Sequence, residues 1–171
     1  SGKSRKGKNI VDKTIKFGNL QHTFAQGGLH SVNTPKIYIA ENGIRIIDID
    51  AESLYPSLAG LFNFGPAGFA EEFSNIIRKF KAERVIAKAI GKDKKNKYTA
   101  EEKKAAKIED QTKKLSLNSI IGHLRNKYGP YMAPQANAAI CINGQLMLGM
   151  LIERMEKVGF ECIMSNTDGI T

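Results

Sequence analysis

The sequence has few features that would place it in a membrane or in an oxidising compartment. Only two of its 171 residues are cysteines, Cys141 and Cys162. Both lie in apolar runs, so we expect buried thiols in a reducing compartment rather than a disulfide. The N-terminus is polar and glycine-rich, and no signal peptide is visible. The most apolar run, residues 138–152, is shorter than the roughly 20 residues that cross a bilayer. We expect it to be a core helix, and the protein to be cytoplasmic with no membrane partner.

Acidic residues are scarce as well, since 17 Asp and Glu stand against 26 Lys and Arg, which gives a net charge of +9. This imbalance predicts a polyanionic partner. The excess is concentrated in residues 69–125, where apolar residues recur at helical spacing in two segments. Thr99 to Glu102 has the pattern of a capping box that opens the second segment. We expect an antiparallel helical hairpin whose basic residues bind phosphate, although such a charge run is also typical of a solvated face.

Turn residues and apolar runs predict the other elements. The β-branched runs 36–40 and 44–49 flank Asn42-Gly43, which predicts a β-hairpin. A strand at 160–164 is expected to lead into a tight turn at 166–169 and the start of a return strand. Helices are predicted at 53–62, at 69–90, from Thr99 towards Leu124, and at 135–157, where the helix is long and largely buried and ends at Gly159.

Two acidic residues follow apolar strand segments that lie far apart in the chain. Asp50 follows the run 44–49, and Asp168 comes shortly after the run 160–164. A carboxylate at the end of an apolar strand is costly to bury unless it binds a metal or a partner. Two such acids with a basic helical region between them indicate metal-assisted chemistry on phosphates. Taken singly, Asp50 could instead be a helix N-cap and Asp168 a residue of a hairpin turn.

Three segments carry a resemblance to a known family. Asp50 to Ser57 reads D-x-x-S-L-Y-P-S, Lys114 to Gly122 reads K-x-x-x-N-S-x-I-G, and Asn166 to Gly169 reads N-T-D-G. They resemble, in the same order, motifs A, B and C of the family B (alpha-like) DNA polymerases, in particular those of bacteriophages. The resemblance covers residues 27–171. It implies an α+β fold, with an antiparallel β-sheet palm flanked by helices and an inserted helical-hairpin fingers subdomain.

The resemblance also implies a division of the chain. A basic flexible segment (1–16) is followed by the first part of the palm (17–68), the fingers hairpin (69–125) and the second part of the palm (126–171). The exonuclease and thumb of the family are expected to be absent. We therefore expect the palm and fingers portion of a DNA-directed DNA polymerase, as one piece of a split enzyme, an excised segment or a truncated protein. Other polymerase segments or subunits would be its partners, in the cytoplasm of a bacterial host.

The resemblance assigns the catalytic metal site to Asp50 and Asp168. Their carboxylates would hold two Mg²⁺ ions, for which Mn²⁺ is a possible substitute, and the backbone carbonyl of Ile49 or Ala51 would add a ligand. Mg²⁺ prefers oxygen ligands and keeps several waters, so two aspartates and the substrate phosphates suffice. The reaction would transfer a nucleotide from a dNTP to the 3′-hydroxyl of a primer paired with template DNA.

Further residues are assigned to the substrates by the same resemblance. Tyr55 would be the steric gate that excludes a 2′-hydroxyl, and backbone N–H groups of the turn at Ser53 to Tyr55 would bind the triphosphate. The nucleotide-binding residues are Ser53, Leu54, Tyr55, Arg84, Lys88, Lys114 and Asn118. Arg84 and Lys88 are four residues apart, as are Lys114 and Asn118, so each pair shares a helix face. The expected DNA-binding residues are Gly27, Gly28, Gly122 and Thr167.

The sequence departs from the family pattern at three positions. Ile121 stands where motif B usually has tyrosine, Asn166 replaces the first aspartate of motif C, and Gly169 replaces a serine. These changes affect the expected fidelity and metal affinity. Two alternatives remain. The chain could be a non-catalytic DNA-binding module derived from a polymerase, or a metal-dependent nuclease, since Asp50 and Glu52 form the D-x-E pattern of proofreading exonucleases.

Overall fold

The structure is a computed structural model that describes residues 12–25 and 27–171. The described residues form an α+β fold, which confirms the predicted class. They divide into two units. The first contains the described residues up to Ala51 together with Gly144–Thr171, and the second is Glu52–Asn143. The elements are β1 (Lys13–Phe17), β2 (Leu20–Ala25), β3 (Gly28–Val32), β4 (Ile49–Asp50), α1 (Leu54–Phe62), α2 (Ala70–Gly91), α3 (Ala100–His123), α4 (Pro134–Lys157), β5 (Ser165–Thr167) and β6 (Gly169–Ile170).

The first unit is built on one antiparallel sheet with the strand order β1-β2-β3-β5-β6-β4. The β5–β6 hairpin therefore lies between β3 and β4, although it comes last in the chain. Leu29 of β3 is paired with Thr167 of β5, and Asp50 of β4 with Gly169 of β6. Buried apolar residues of this unit include Leu29, Leu148, Ile152, Cys162 and Ile170. The sequence did not predict β1, β2 or β3. Strand β1 takes in the last four residues of the segment expected to be flexible, the rest of which lies mainly outside the described residues.

The predicted hairpin at 36–49 is confirmed at its turn and wrong in its strands. Asn42 and Gly43 both have positive φ, 53° and 85°, and the Ile44 N–H donates to the Glu41 carbonyl at 2.9 Å, as in a type I′ turn. Residues 36–40 and 44–48 are not in strands, and Ile37 is 85% exposed. Because neither run buries a side-chain face, no apolar contact fixes the register of a ladder. The run 44–49 contributes only Ile49 to β4.

The strand predicted at 160–164 is also displaced. Strand β5 begins at Ser165, whereas Ile163 and Met164 only form backbone hydrogen bonds with Thr171. The predicted turn is confirmed, since the Asp168 N–H donates to the Asn166 carbonyl at 2.6 Å and Thr167 has a φ of 56°. The β5–β6 hairpin is consequently very short, and the turn carries Asp168.

The second unit contains the predicted helical hairpin, formed by α2 and α3. The capping box is confirmed, because the Glu102 N–H donates to the Thr99 hydroxyl and the Thr99 N–H donates to the Glu102 carboxylate. Gly91 of α2 lies against Lys107 of α3, and Arg84 pairs with Asp110, so the helices run antiparallel. Buried apolar residues of this unit include Leu58, Ile77, Leu117, Leu124 and Ile140.

Helix α4 has the predicted bounds but not the predicted burial. It ends before Gly159, whose φ of 95° suits a glycine at the C′ position. Leu148 and Ile152 are buried, whereas Leu146, Met147 and Met150 are exposed, so the helix is not largely buried. By length and composition α4 is apolar enough to cross a membrane, and 39% of its most apolar window is buried. Core helices of globular proteins share this length and composition.

Candidate functional site

Asp50 and Asp168 are neighbours at one end of the sheet of the first unit. Asp50 is the last residue of β4, and Asp168 lies in the turn between β5 and β6. The Ala51 N–H donates to the Asp168 carbonyl at 2.9 Å, and Asp50 is paired with Gly169. Strand geometry then puts the two aspartate Cα atoms roughly 6 Å apart. The structure therefore brings together, at the level of the backbone, two acids that are separated by more than a hundred residues of sequence.

The paired glycines reach the same end of this sheet. Gly27 precedes β3 and Gly28 is its first residue, and the pairing of Leu29 with Thr167 sets the start of β3 beside the β5–β6 turn. The strand directions agree with this placement, since β4 and β5 end there while β3 and β6 begin there. Residues from three distant parts of the sequence thus lie at one end of the sheet: Gly27, Gly28, Asp50, Thr167 and Asp168.

The oxygen ligands available at this end of the sheet, the carboxylates of Asp50 and Asp168, fit Mg²⁺. Asp50 is exposed and Asp168 is half-buried, so solvent and phosphate oxygens can reach both carboxylates. Mg²⁺ is usually held by one or two carboxylates together with waters and substrate phosphates. The described residues contain no group of three or more His, Cys, Asp or Glu able to hold a metal, and a site completed by substrate does not require one. Ile49 and Ala51 flank Asp50, as the predicted carbonyl ligands must.

Gly169 lies close to the backbone of β4 at Ile49. A Cβ built on Gly169 would lie 3.5 Å from Asp50 Oδ1 and 3.3 Å from the Ile49 carbonyl oxygen. The second distance is tighter than most real Cβ contacts, so a serine here would crowd the backbone of β4. Glycine at position 169 thus avoids a tight contact with the backbone of β4 beside Asp50.

In the second unit, Ser53, Leu54 and Tyr55 of the segment that resembles motif A lie at the start of α1. Ser53 adopts a left-handed backbone with φ 53°, and its side chain does not cap the helix. Leu54 is buried, while Tyr55 is half-buried. A helix start without a side-chain cap directs N–H donors and the positive end of the dipole outward, which suits an anion.

Arg84 and Lys88 of α2 are both held by carboxylates. The Arg84 Nε donates to Asp110 Oδ1 at 2.9 Å, and its Nη1 donates to the Ser53 hydroxyl. Lys88 pairs with Glu52. The hydrogen bond from Lys88 lowers the pKa of Glu52, against the opposing effect of burial. Neither Glu52 nor Asp110 was expected in this role, because partners 36 and 26 residues apart leave no local signal in the sequence.

Lys114 and Asn118 continue the α3 face that carries Asp110. The three residues are spaced by four, so they form one row along the helix. Lys114 and Asn118 are exposed, and Asp110 is the residue that holds Arg84. Lys114 is about 6 Å along the axis from Asp110. The structure therefore places Arg84 and Lys88 of α2 and Lys114 of α3 in the same part of the hairpin, with the two lysines on either side of the Arg84–Asp110 pair.

Gly122, near the end of α3, is not explained by internal packing. Apart from its chain neighbours and the adjacent backbone of its own helix, a Cβ built there would meet no described atom within 4 Å. Glycine inside a helix costs about 1 kcal/mol relative to alanine. The described residues thus give no packing reason for glycine at this position.

The sequence of the protein matches no protein-family model and no curated protein.

Proposed function

We propose that the chain is the palm and fingers portion of a DNA-directed DNA polymerase, which transfers nucleotides from dNTPs to a primer 3′-hydroxyl with two Mg²⁺ ions. The main support for this proposal is that Gly27, Gly28, Asp50 and Asp168 lie at the same end of an antiparallel sheet. The sequence alone does not require these segments to be neighbours. Their adjacency is the arrangement that motifs A and C need for a shared metal site.

Asp50 and Asp168 would hold the ions, with Mn²⁺ as a possible substitute, and Ile49 or Ala51 would supply a carbonyl oxygen. Held by these carboxylates, divalent ions would supply the positive charge that activates the attacking hydroxyl and stabilises the leaving pyrophosphate. A cation bound by both carboxylates would relieve their mutual repulsion. Gly27, Gly28 and Thr167 lie beside them, where backbone can approach the DNA closely.

The second unit would bind the dNTP. Arg84 and Lys88 would meet triphosphate oxygens, with Lys114 and Asn118 from the facing helix. The uncapped start of α1, at Ser53 to Tyr55, offers backbone donors to the same anion. Tyr55 would exclude a 2′-hydroxyl, and Gly122 would let the nascent base pair come close to α3. In this function the protein acts in the cytoplasm of a bacterial host, on primer–template DNA and with other polymerase segments.

One contact favours this proposal over a nuclease. A nuclease would need Glu52 as a metal ligand beside Asp50, yet the Glu52 carboxylate is engaged by Lys88. The alternative of a non-catalytic DNA-binding module predicts DNA binding without nucleotide binding, and the experiment below separates it from the polymerase.

The test is extension of a labelled primer on a template with Mg²⁺ and dNTPs, together with Mg²⁺-dependent dNTP binding measured by calorimetry. Asp50→Asn and Asp168→Asn should abolish both signals. Asp48→Asn is the matched control, because this acid accepts a hydrogen bond from the Thr171 hydroxyl at 2.9 Å and the amide can still accept it. Shortening of the primer would indicate the nuclease. DNA binding without Mg²⁺-dependent dNTP binding would indicate the non-catalytic module.

A further inference from the structure

The tip of the α2–α3 hairpin, defined as residues 92–107, carries positive charge that the described residues do not neutralise. Closer to the base of the hairpin, Arg84 and Lys113 are paired with carboxylates. At the tip, by contrast, several exposed lysines form no ion pair with any described residue. They are Lys92, Lys94, Lys95, Lys97, Lys104 and Lys107. Residues 92–107 contain seven lysines and three acidic residues, Asp93, Glu101 and Glu102, so this end of the hairpin carries a dense net positive charge.

Two acidic residues of the tip are used to build it. Asp93 accepts the N–H groups of Lys95 and Lys97 at 3.0 and 2.8 Å, and it pairs with Lys103 at 3.4 Å. Glu102 closes the capping box with Thr99. These acids therefore fix the turn between α2 and α3. The lysines that flank the turn are consequently presented from a defined backbone.

The tip also exposes an aromatic ring. Tyr98, which lies between Lys97 and the capping residue Thr99, is 40% exposed. Clustered lysines neutralise phosphates, and an exposed aromatic ring among them offers a surface on which a base can stack. An acidic polypeptide would use the lysines but would have no comparable use for the ring.

We propose that this tip binds the phosphate backbone of nucleic acid, as a surface additional to the proposed nucleotide-binding residues. Lys92 is eight residues beyond Arg84, which is about 12 Å along the axis of α2. The tip can therefore bind a phosphate chain while Arg84 and Lys88 bind a different anion. This inference does not depend on the polymerase activity, since it concerns binding alone.

The experiment measures the anisotropy of a labelled single strand and of a labelled duplex across about 50–200 mM salt. The tip variant Lys92→Gln, Lys94→Gln, Lys95→Gln removes three charges. The control variant Lys13→Gln, Lys127→Gln, Lys157→Gln removes three exposed charges elsewhere. If the tip contacts phosphates, the slope of log K against log salt falls by about 2 for the single strand or about 2.7 for the duplex in the tip variant. The control should change it by less than half of that.

The nucleic acid form whose binding affinity falls more in the tip variant is the form that the tip prefers. Equal slopes in the tip variant and the wild type would overturn the inference, and so would equal losses in the tip and control variants. Tip-dependent binding of poly-glutamate with the affinity of the oligonucleotide would overturn it too. Binding of dNTP, measured on the same variants, tests the proposed polymerase separately, because none of the substituted lysines is assigned to the nucleotide.

Discussion

The Nε atom of Arg84 lies 2.9 Å from Oδ1 of Asp110, so the most buried cation of the hairpin is held by a carboxylate of the facing helix. The Arg84 side chain is 9% exposed and that of Asp110 is 23% exposed. A guanidinium that is mostly out of water needs such a partner. The pair also orients the Arg84 guanidinium, whose Nη1 donates to the Ser53 hydroxyl. Asp110 is thus a positioning residue for Arg84.

We predict that Asp110→Asn weakens both the fold and nucleotide binding. The arginine would lose its charged partner while staying largely buried, which should cost about 2 kcal/mol of unfolding free energy. Urea unfolding measures that cost, and calorimetry with dNTP and Mg²⁺ should show weaker binding. Glu109→Gln is the control, because this exposed acid forms an ion pair of the i,i+4 type with Lys113 and is not assigned to the nucleotide. A loss of equal size in the control would contradict the assigned role of Asp110.

Removal of the ion pair between Lys88 and Glu52 should instead strengthen dNTP binding. Glu52 pairs with Lys88 and is itself 41% exposed, so a triphosphate must compete with this carboxylate. Glu52→Gln should tighten dNTP binding by up to about fivefold, the range expected for an exposed ion pair worth less than 1 kcal/mol. Glu101→Gln, at an exposed acid in the first turn of α3, controls for the change in net charge. Weaker Mg²⁺-dependent binding in Glu52→Gln would instead favour a metal-binding role for Glu52.

Substitution of Gly122 should separate stability from function. Outside the adjacent backbone of its own helix, the methyl group of Gly122→Ala would meet no described atom within 4 Å, so the free energy of unfolding should rise by about 1 kcal/mol. If the nascent base pair approaches this residue, the same methyl group should reduce primer extension severalfold. Thermal unfolding and primer extension measure the two effects. Gln111→Ala, at an exposed position of the same helix outside the segment that resembles motif B, is the control and should leave extension unchanged.

The parts of the fold that were predictable from the sequence are those with local signals. The capping box at Thr99 and the Asn42-Gly43 turn depend on residues within a few positions of each other, and both were predicted correctly. The strands were predicted poorly, because β4 and β6 are two residues long and owe their existence to pairing between distant segments. The candidate acids and the candidate cations were identified by the motif resemblance, whereas the carboxylates that pair with Arg84 and Lys88 were not. Glu52 and Asp110 acquire their roles only when α2 brings Lys88 and Arg84 to them.

A buried histidine of the first unit should make the sheet sensitive to acid. His22 of β2 is fully buried, its Nδ1 lies 2.9 Å from the Ser165 hydroxyl, and its ring stacks on Phe17. Its Nε2 is buried with no hydrogen-bond partner among the described residues. Burial lowers the pKa of His22, and the nearby carboxylate of Glu156 offsets this only in part. The unfolded chain therefore binds a proton at a higher pH than the folded one.

Above its unfolded pKa of about 6.5, His22 is neutral in both states and does not lower the free energy of unfolding. As the pH drops below that value, the unfolded chain binds a proton before the folded one does, so the free energy of unfolding falls until the lower folded pKa is reached. Urea unfolding from about pH 7.5 to 5 should show this loss in the wild type. His22→Phe keeps an aromatic ring against Phe17 but cannot be protonated, so its stability should change less over the same range. His123→Gln, at an exposed position of α3, should behave as the wild type does. If His22→Phe loses as much stability as the wild type, the acid sensitivity comes from other groups.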